Sequence, residues 1–329
     1  LLAGVIAASP MSATFVGDAS LTRRPMRRVA RPLEALGARV ELSASGGLPM
    51  AVHGARLRGT TWHSEVASAQ VKSAILLAAV IADVPVEVHE PLSTRDHTER
   101  MLQARGIDLR VDGNVVALVP GRALGAADVE VPADPSSAFF LAARAACDPS
   151  HPVLLTDVCL NPHRIGAFRV LRRMGAEVHF ERVREAGGEP VGDVRVATGT
   201  LRSAVIEAEE IPSLVDELPM LAALASRGTG TLEVRGAGEL RVKESDRIAT
   251  VVANLRAVGA RAEEQPDGFV VEGSSAALSG AVVTQGDHRI AMAFGVLGSL
   301  PGHAITVDDR ACADVSFPGF WECMEAMRE

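Results

Sequence analysis

An α/β fold built from repeated units is predicted by two observations on this 329-residue chain. First, one phrase recurs four times: helix-like apolar spacing, then Gly, then a strand-like run. Second, each interval between phrases holds a further helical pattern and several short alternating strands. The phrases are Leu33–Val40, Met101–Leu109, Leu171–Val178 and Leu255–Ala262. Their glycines, Gly37, Gly106, Gly175 and Gly259, are spaced by 69, 69 and 84 residues. Gly just past a helix tolerates the left-handed conformation that ends it, so each phrase reads as helix end, turn and strand start. Gly-Ala also follows helices in many unrelated α/β proteins; the equal spacing is what argues for a repeat.

The elements follow in order. Leu1–Ala8 is a short apolar run, too short to span a bilayer and without the basic stretch that precedes a signal sequence. Ser68–Ala82 and Ser136–Ala146 carry helix-favouring residues behind Ser caps, and Ser213–Ala225 resembles them, with Pro219 placed to kink it. Strands are expected at Val84–His89, Val115–Val119, Val153–Thr156, Leu232–Val234 and Gly268–Glu272. The segment Arg182–Val191, rich in Gly, Glu and Arg, reads as the loop that lengthens the one long spacing. Two prolines in Val131–Pro135 mark the domain boundary, giving 1–132 and 133–329. Pro318–Met327 is helical in pattern. A further step of 69 from Gly259 reaches residue 328, while a step back from Gly37 passes the first residue, so residues 1–36 read as the tail of a unit.

Composition narrows the function. Aromatic residues make up 3% of the chain and Tyr is absent, which disfavours a protein that stacks single-stranded bases. The net charge of −8 leaves no overall basic footprint for nucleic acid. The four cysteines, Cys147, Cys159, Cys312 and Cys323, form no C-x-x-C pair, so neither a disulfide framework nor a structural zinc site is expected.

Five constellations could carry chemistry. In Leu240–Ile248, Lys243 and Arg247 are four apart and would share a helix face, with Glu244 beside them; this suits an anionic substrate, or a salt-bridged helix start. In Gly286–Phe294, Asp287, His288 and Arg289 precede an apolar helix whose start favours anions. Asp287 and His288 offer a weaker metal reading, since no other ligand sits at metal spacing. Arg23, Arg24, Arg27 and Arg28 could meet phosphate or form a basic surface. Ala67–Lys72 and Ser93–Glu99 each open a helix with small or polar residues, which caps a helix as readily as it binds an anion. Asp216 and Glu217 lie in an apolar setting, where a desolvated carboxylate would have a raised pKa and could act as a base; a dipole-stabilised helix start is the other reading. Together these suggest an enzyme acting on phosphorylated, carboxylated metabolites.

The same segments, in this order, resemble the enolpyruvyl transferase family, and within it the branch that acts on shikimate 3-phosphate. They are GDASLTRRPM (17–26), ASAQVKSAILLA (67–78), TRDHTERML (94–102), DPSSAFF (134–140), PSLVDELP (212–219), ELRVKESDRI (239–248), GDHRIAM (286–292) and SFP (316–318). The resemblance implies two domains, each an inside-out α/β barrel of three βαβαββ units. It implies transfer of the enolpyruvyl group of phosphoenolpyruvate to the 5-hydroxyl of shikimate 3-phosphate, with release of phosphate and without metal or organic cofactor. By motif match, Asp216 is the proton acceptor and Glu244 a proton donor. Ser68, Ala69, Gln70, Arg95, Asp216 and Lys243 match ligands of shikimate 3-phosphate. Arg24, Gln70, Arg247 and Arg289 match ligands of phosphoenolpyruvate.

The resemblance also implies a cytoplasmic monomer that binds neither nucleic acid nor membrane. The family's N-terminal Lys-Ser and Arg segment and a Gly-Asn loop are not in this sequence, and Val315 stands where some members carry Lys. The first domain is therefore expected to be incomplete, with each lost cationic contact costing roughly 3–5 kcal/mol and the activity of the chain impaired. Two alternatives remain. One is transfer to UDP-N-acetylglucosamine, a branch that commonly uses a loop Cys, for which Cys147 and Cys159 are the nearest residues but lie in no matching motif. The other is a non-catalytic, anion-binding fragment.

Overall fold

A computed structural model describes residues 1–327 and divides the chain into two compact units. The first comprises Leu1–Glu130 together with Ala186–Glu189; the second comprises Val131–Glu185 and the chain from Pro190 onward.

In the first unit the helices are α1 (Leu2–Ala7), α2 (Ala19–Arg23), α3 (Arg27–Leu36), α4 (Ala69–Ala82) and α5 (His97–Ala104). Its strands are β1 (Ser12–Phe15), β2 (Arg39–Leu42), β3 (Met50–His53), β4 (Thr60–His63), β5 (Val86–His89), β6 (Asp108–Asp112) and β7 (Val115–Val119). They form an antiparallel sheet β1-β3-β2 and a mixed sheet β4-β5-β7-β6. In the mixed sheet β4 runs parallel to β5 and the remaining pairs are antiparallel.

The second unit holds β8 (Val153–Cys159), β9 (Glu177–Ala186), β10 (Glu189–Ala197), β11 (Ala204–Ile206), β12 (Thr231–Val234), β13 (Arg261–Gln265), β14 (Gly268–Glu272), β15 (Ser279–Val282) and β16 (Ala304–Val307). Its helices are α6 (Pro135–Ala146), α7 (Gly166–Met174), α8 (Leu218–Ala225), α9 (Arg247–Ala257), α10 (His288–Ser299) and α11 (Phe320–Ala326). The sheets are β8-β10-β9, β11-β12-β14-β13 and the parallel pair β15-β16.

The repeat is physical. The runs β4-α4-β5-α5-β6-β7 and β11-α8-β12-α9-β13-β14 build sheets of one order, a parallel pair followed by antiparallel neighbours. All four phrase glycines take the left-handed backbone, with φ of 110°, 86°, 114° and 94°, and lead directly to β2, β6, β9 and β13. A residue with a Cβ would strain each of these helix exits. In the second unit α6, α8 and α10 are largely apolar and sit inside. Every residue of α8 is buried, as are most of α6 and α10, and these three pack on one another. Strands such as β1, β2 and β16 alternate between exposed and half-buried positions on the outside. Helices within and sheets without is the inside-out arrangement, which needs interior helices with no polar face. Each unit has its own apolar cluster, around Phe139, Phe168, Phe294 and Phe320 in the second and Leu33, Leu36, Ile75 and Val88 in the first.

Several expectations are corrected. Residues 182–191 are not a loop. They lie in a hairpin of two long strands, β9 and β10, closed at Gly187 and Gly188, both with positive φ. The helix expected from Ser213 starts only at Leu218, after a 3-10 turn over Ile211–Ser213, and Pro219 lies in its first turn, where the missing N–H costs nothing and no kink results. Helix α6 is capped by Asp134, whose side chain accepts from the Ser137 amide, and not by Ser136. Helix α4 has Ser68 at its cap position, but the hydroxyl makes no capping bond. Residue 328, where the last repeat step falls, lies outside the described residues.

Candidate functional site

In the second unit the sequence-predicted residues gather around Arg247, the first residue of α9. Asp246 sets the start of that helix, its carboxylate accepting from the Ala249 amide at 3.1 Å. Lys243 therefore lies outside α9, in extended backbone after a 3-10 turn over Gly238–Val242, and does not share a helix face with Arg247 as its spacing predicts. Its Nζ lies 3.1 Å from Glu239 Oε1.

Arg247 is almost fully buried and surrounded by three carboxylates. Its Nε donates to Asp287 Oδ2 at 2.8 Å and its Nη2 to Glu244 Oε2 at 2.6 Å, while Nη1 lies 3.5 Å from Asp216 Oδ1. Burial opposes the charge of this guanidinium, but Asp287, Glu244 and Asp216 outweigh it and raise its pKa above the usual arginine range. The Nη1 group makes no hydrogen bond, so one buried donor remains for an acceptor brought by a ligand.

Asp287 is the hub. It is inaccessible to solvent, caps α10 by accepting from the Arg289 amide at 2.9 Å, and accepts from Ser245 Oγ at 3.0 Å as well as from Arg247. Its carboxylate is thus committed to protein donors. The neighbouring His288 is held below the usual histidine range by burial and then by the charge of Arg289. Arg289 lies with its guanidinium carbon 5.9 Å from the Phe140 ring centre, and its buried Nε makes no hydrogen bond. Of the two acids in the 212–219 motif, Glu217 is buried at the start of α8, whereas Asp216 is 20% exposed and points to Arg247.

In the first unit the predicted residues are set at helix ends. Arg24 caps the C-terminal end of α2, in extended backbone just past Arg23. Ser68, Ala69 and Gln70 open α4, where the first amides have no partner within the helix. Arg95 precedes α5, whose first residue is His97, so the 93–99 motif is half loop and half helix. Each of these side chains is at least partly accessible. Val315 is exposed.

Sequence reasoning gave Asp287 a place at an anion-favouring helix start and a weak metal reading with His288, not its pairing with Arg247, and it passed over Ser245. The signal for Asp287 was its place directly before an apolar helix, the position of a capping acid. Its pairing with Arg247, 40 residues away in the chain, had no sequence signal. Chemically, the cluster offers a desolvated cation for an anionic group, two partly exposed carboxylates within its reach for proton transfer, and a sealed carboxylate that holds the cation in place.

Comparison with known proteins shows which family the chain resembles along its length. The family model for EPSP synthase (3-phosphoshikimate 1-carboxyvinyltransferase) matches residues 1–324. A 3-phosphoshikimate 1-carboxyvinyltransferase of Desulforudis audaxviator is 45% identical over 329 residues, which is all of this chain and 77% of the relative. One from Xanthomonas campestris pv. campestris is 47% identical over 321 residues, covering 97% of this chain and 73% of the relative. The solved EPSP synthase of Acinetobacter baumannii superposes with a TM-score of 0.86 at 37% identity, covering 99% of this chain and 76% of that one. The enolpyruvyl transferase NikO of Streptomyces tendae, at 15% identity and a TM-score of 0.74, shares the fold.

Proposed function

The chain belongs to the EPSP synthase family, and we propose that the residues gathered above divide that family's reaction among them. The reaction moves the enolpyruvyl group of phosphoenolpyruvate to the 5-hydroxyl of shikimate 3-phosphate and releases phosphate. Addition needs a base for the hydroxyl and an acid for the methylene carbon. Asp216 takes the hydroxyl proton as the oxygen bonds to C2 of phosphoenolpyruvate, and Glu244 gives a proton to C3, so that a tetrahedral adduct forms. Loss of a proton from the new methyl group and departure of phosphate restore the double bond. Arg247, Arg289, Arg24 and Gln70 hold phosphoenolpyruvate, while Ser68, Ala69, Gln70, Arg95 and Lys243, with Asp216, hold shikimate 3-phosphate. Cations are required because two polyanions must be brought together against their repulsion.

The observation that carries this reading is the Arg247 cluster: a buried guanidinium with an unsatisfied donor, flanked by Asp216 and Glu244, each partly open to solvent. We assign the domains as 1–132 and 133–329 and place the chain in the cytoplasm as a monomer. Among the described residues, no helix is long and apolar enough to cross a membrane.

The test is phosphate release from phosphoenolpyruvate with shikimate 3-phosphate or UDP-N-acetylglucosamine as acceptor. It is run on the chain, on the chain joined to the N-terminal segment of the Desulforudis relative, and on Asp216→Ala in both. Release that needs shikimate 3-phosphate and Asp216 supports the assignment. Release with the nucleotide sugar instead, or silence in both forms, contradicts it.

A further inference from the structure

Within the first unit, a second charged cluster lies outside the set just described. Lys72, in the first turn of α4, is 3% exposed at its side chain, and its partners Glu90 and Glu99 are 2% and 3% exposed. Its Nζ donates to Glu90 Oε2 at 2.6 Å and lies 2.6 Å from Glu99 Oε1. The other oxygen of Glu90 accepts from Thr94 Oγ1 at 2.6 Å. A second link joins the same helices, Ser73 Oγ to Thr98 Oγ1 at 2.6 Å. Three charges have thus been taken out of water, which is costly and adds little stability over apolar packing of the same volume. What such a cluster does supply is a defined geometry, because each charged bond is short and directional.

The places it ties together are informative. Lys72 is two residues from Gln70 and four from Ser68. Thr94 directly precedes Arg95, and Glu90 and Glu99 bracket the segment that carries it. The cluster therefore fastens the start of α4 to the segment between β5 and α5, the two places where this unit presents its proposed phosphate ligands. We propose that Lys72, Glu90, Thr94 and Glu99 are positioning residues that fix Ser68, Gln70 and Arg95 in the geometry that binds the phosphate of shikimate 3-phosphate. This rests on the assignment of those three residues to that substrate.

Thr94→Val tests it with a near-isosteric change that removes only the hydroxyl. The affinity of the chain for shikimate 3-phosphate is measured by calorimetry, and backbone amide exchange is followed by mass spectrometry over 66–72 and 91–98. The expected result is an affinity loss of about tenfold, from displaced ligand groups. Faster exchange in 91–98, a melting temperature close to that of the parent and recovery of both readouts in Thr94→Ser complete the expectation. Parent affinity in Thr94→Val overturns the inference, even if exchange quickens, because the hydroxyl then serves structure alone. Failure of the unsubstituted protein to bind shikimate 3-phosphate, both as the chain and joined to the N-terminal segment of the Desulforudis relative, overturns the ligand assignment itself, and the two failures are thereby told apart.

Discussion

Each unit holds a cluster of carboxylates around a buried cation, Lys72 in the first and Arg247 in the second, and the two clusters are built in opposite ways. Around Lys72 all three charged side chains are at most 3% exposed. Around Arg247 only Asp287 is sealed, while Asp216 and Glu244 are 20% and 26% exposed. Both clusters bear an excess of negative charge, which an anionic substrate would not favour if the carboxylates were free. The sealed ones are spent on protein donors, so their charge organises structure. The open ones keep solvent access, so their protons can be exchanged with a reactant. Burial of the partner, more than the presence of a buried cation, separates the cluster proposed to position from the one proposed to react.

The largest effects are expected where the open face is altered. Asp216→Asn and Glu244→Gln each remove a group proposed for proton transfer, and rates of phosphate release are expected to fall by roughly 10²–10⁴. Because both side chains reach solvent, the accompanying loss of stability is expected to be about 1 kcal/mol or less, measured by urea unfolding. Asp287→Ala should do the reverse in kind. It strands Arg247 without its sealed partner and removes the cap of α10, and a stability loss of about 3–5 kcal/mol is expected in the same unfolding experiment.

In the sealed cluster, Lys72→Met alone leaves two buried carboxylates and is expected to cost roughly 3 kcal/mol. The triple change Lys72→Met, Glu90→Gln, Glu99→Gln leaves no charge and is expected to return to within about 1 kcal/mol of the parent. If the triple variant is as unstable as the single one, the cluster contributes more than defined geometry.

The smallest effect is on pH dependence. Burial pushes the Glu99 carboxyl above the usual glutamate range; Lys72 opposes this and Asp96 adds to it, and Glu90 is the other charged group held on Lys72. The folded state therefore keeps a proton that the unfolded chain releases. Stability from this group is present below the ordinary glutamate pKa and is lost as pH rises through the raised one. Glu99→Gln should flatten the stability profile over that window, as followed by thermal melts. An unchanged slope would show that another group sets it.

What could be read from sequence was local. Strands β7 and β14 were placed to the residue because each is a short run of strand-like residues. The helix–Gly–strand phrase was legible because a left-handed exit selects glycine. The β9–β10 hairpin was missed because its paired glycines and dense charge look like a loop, although Val178 and Phe180 keep the two-residue period of a strand. The helix assumed through Lys243 and Arg247 failed for one residue: Asp246 caps, so the helix starts after it. Motifs named the candidate side chains, but the bonds that organise each cluster, Arg247 to Asp287 in one unit and Lys72 to Glu90 and Glu99 in the other, join residues 40, 18 and 27 apart. Nothing in a linear pattern reports such pairs.

The measurement that tests the contrast most directly is phosphate release at saturating substrates by Glu244→Gln and by the neutral Lys72 triple variant, side by side. The account predicts that Glu244→Gln loses turnover at every substrate concentration, while the triple variant approaches the parent rate once shikimate 3-phosphate is raised. Parent turnover in Glu244→Gln, or a triple variant whose rate stays low at saturation, would contradict it.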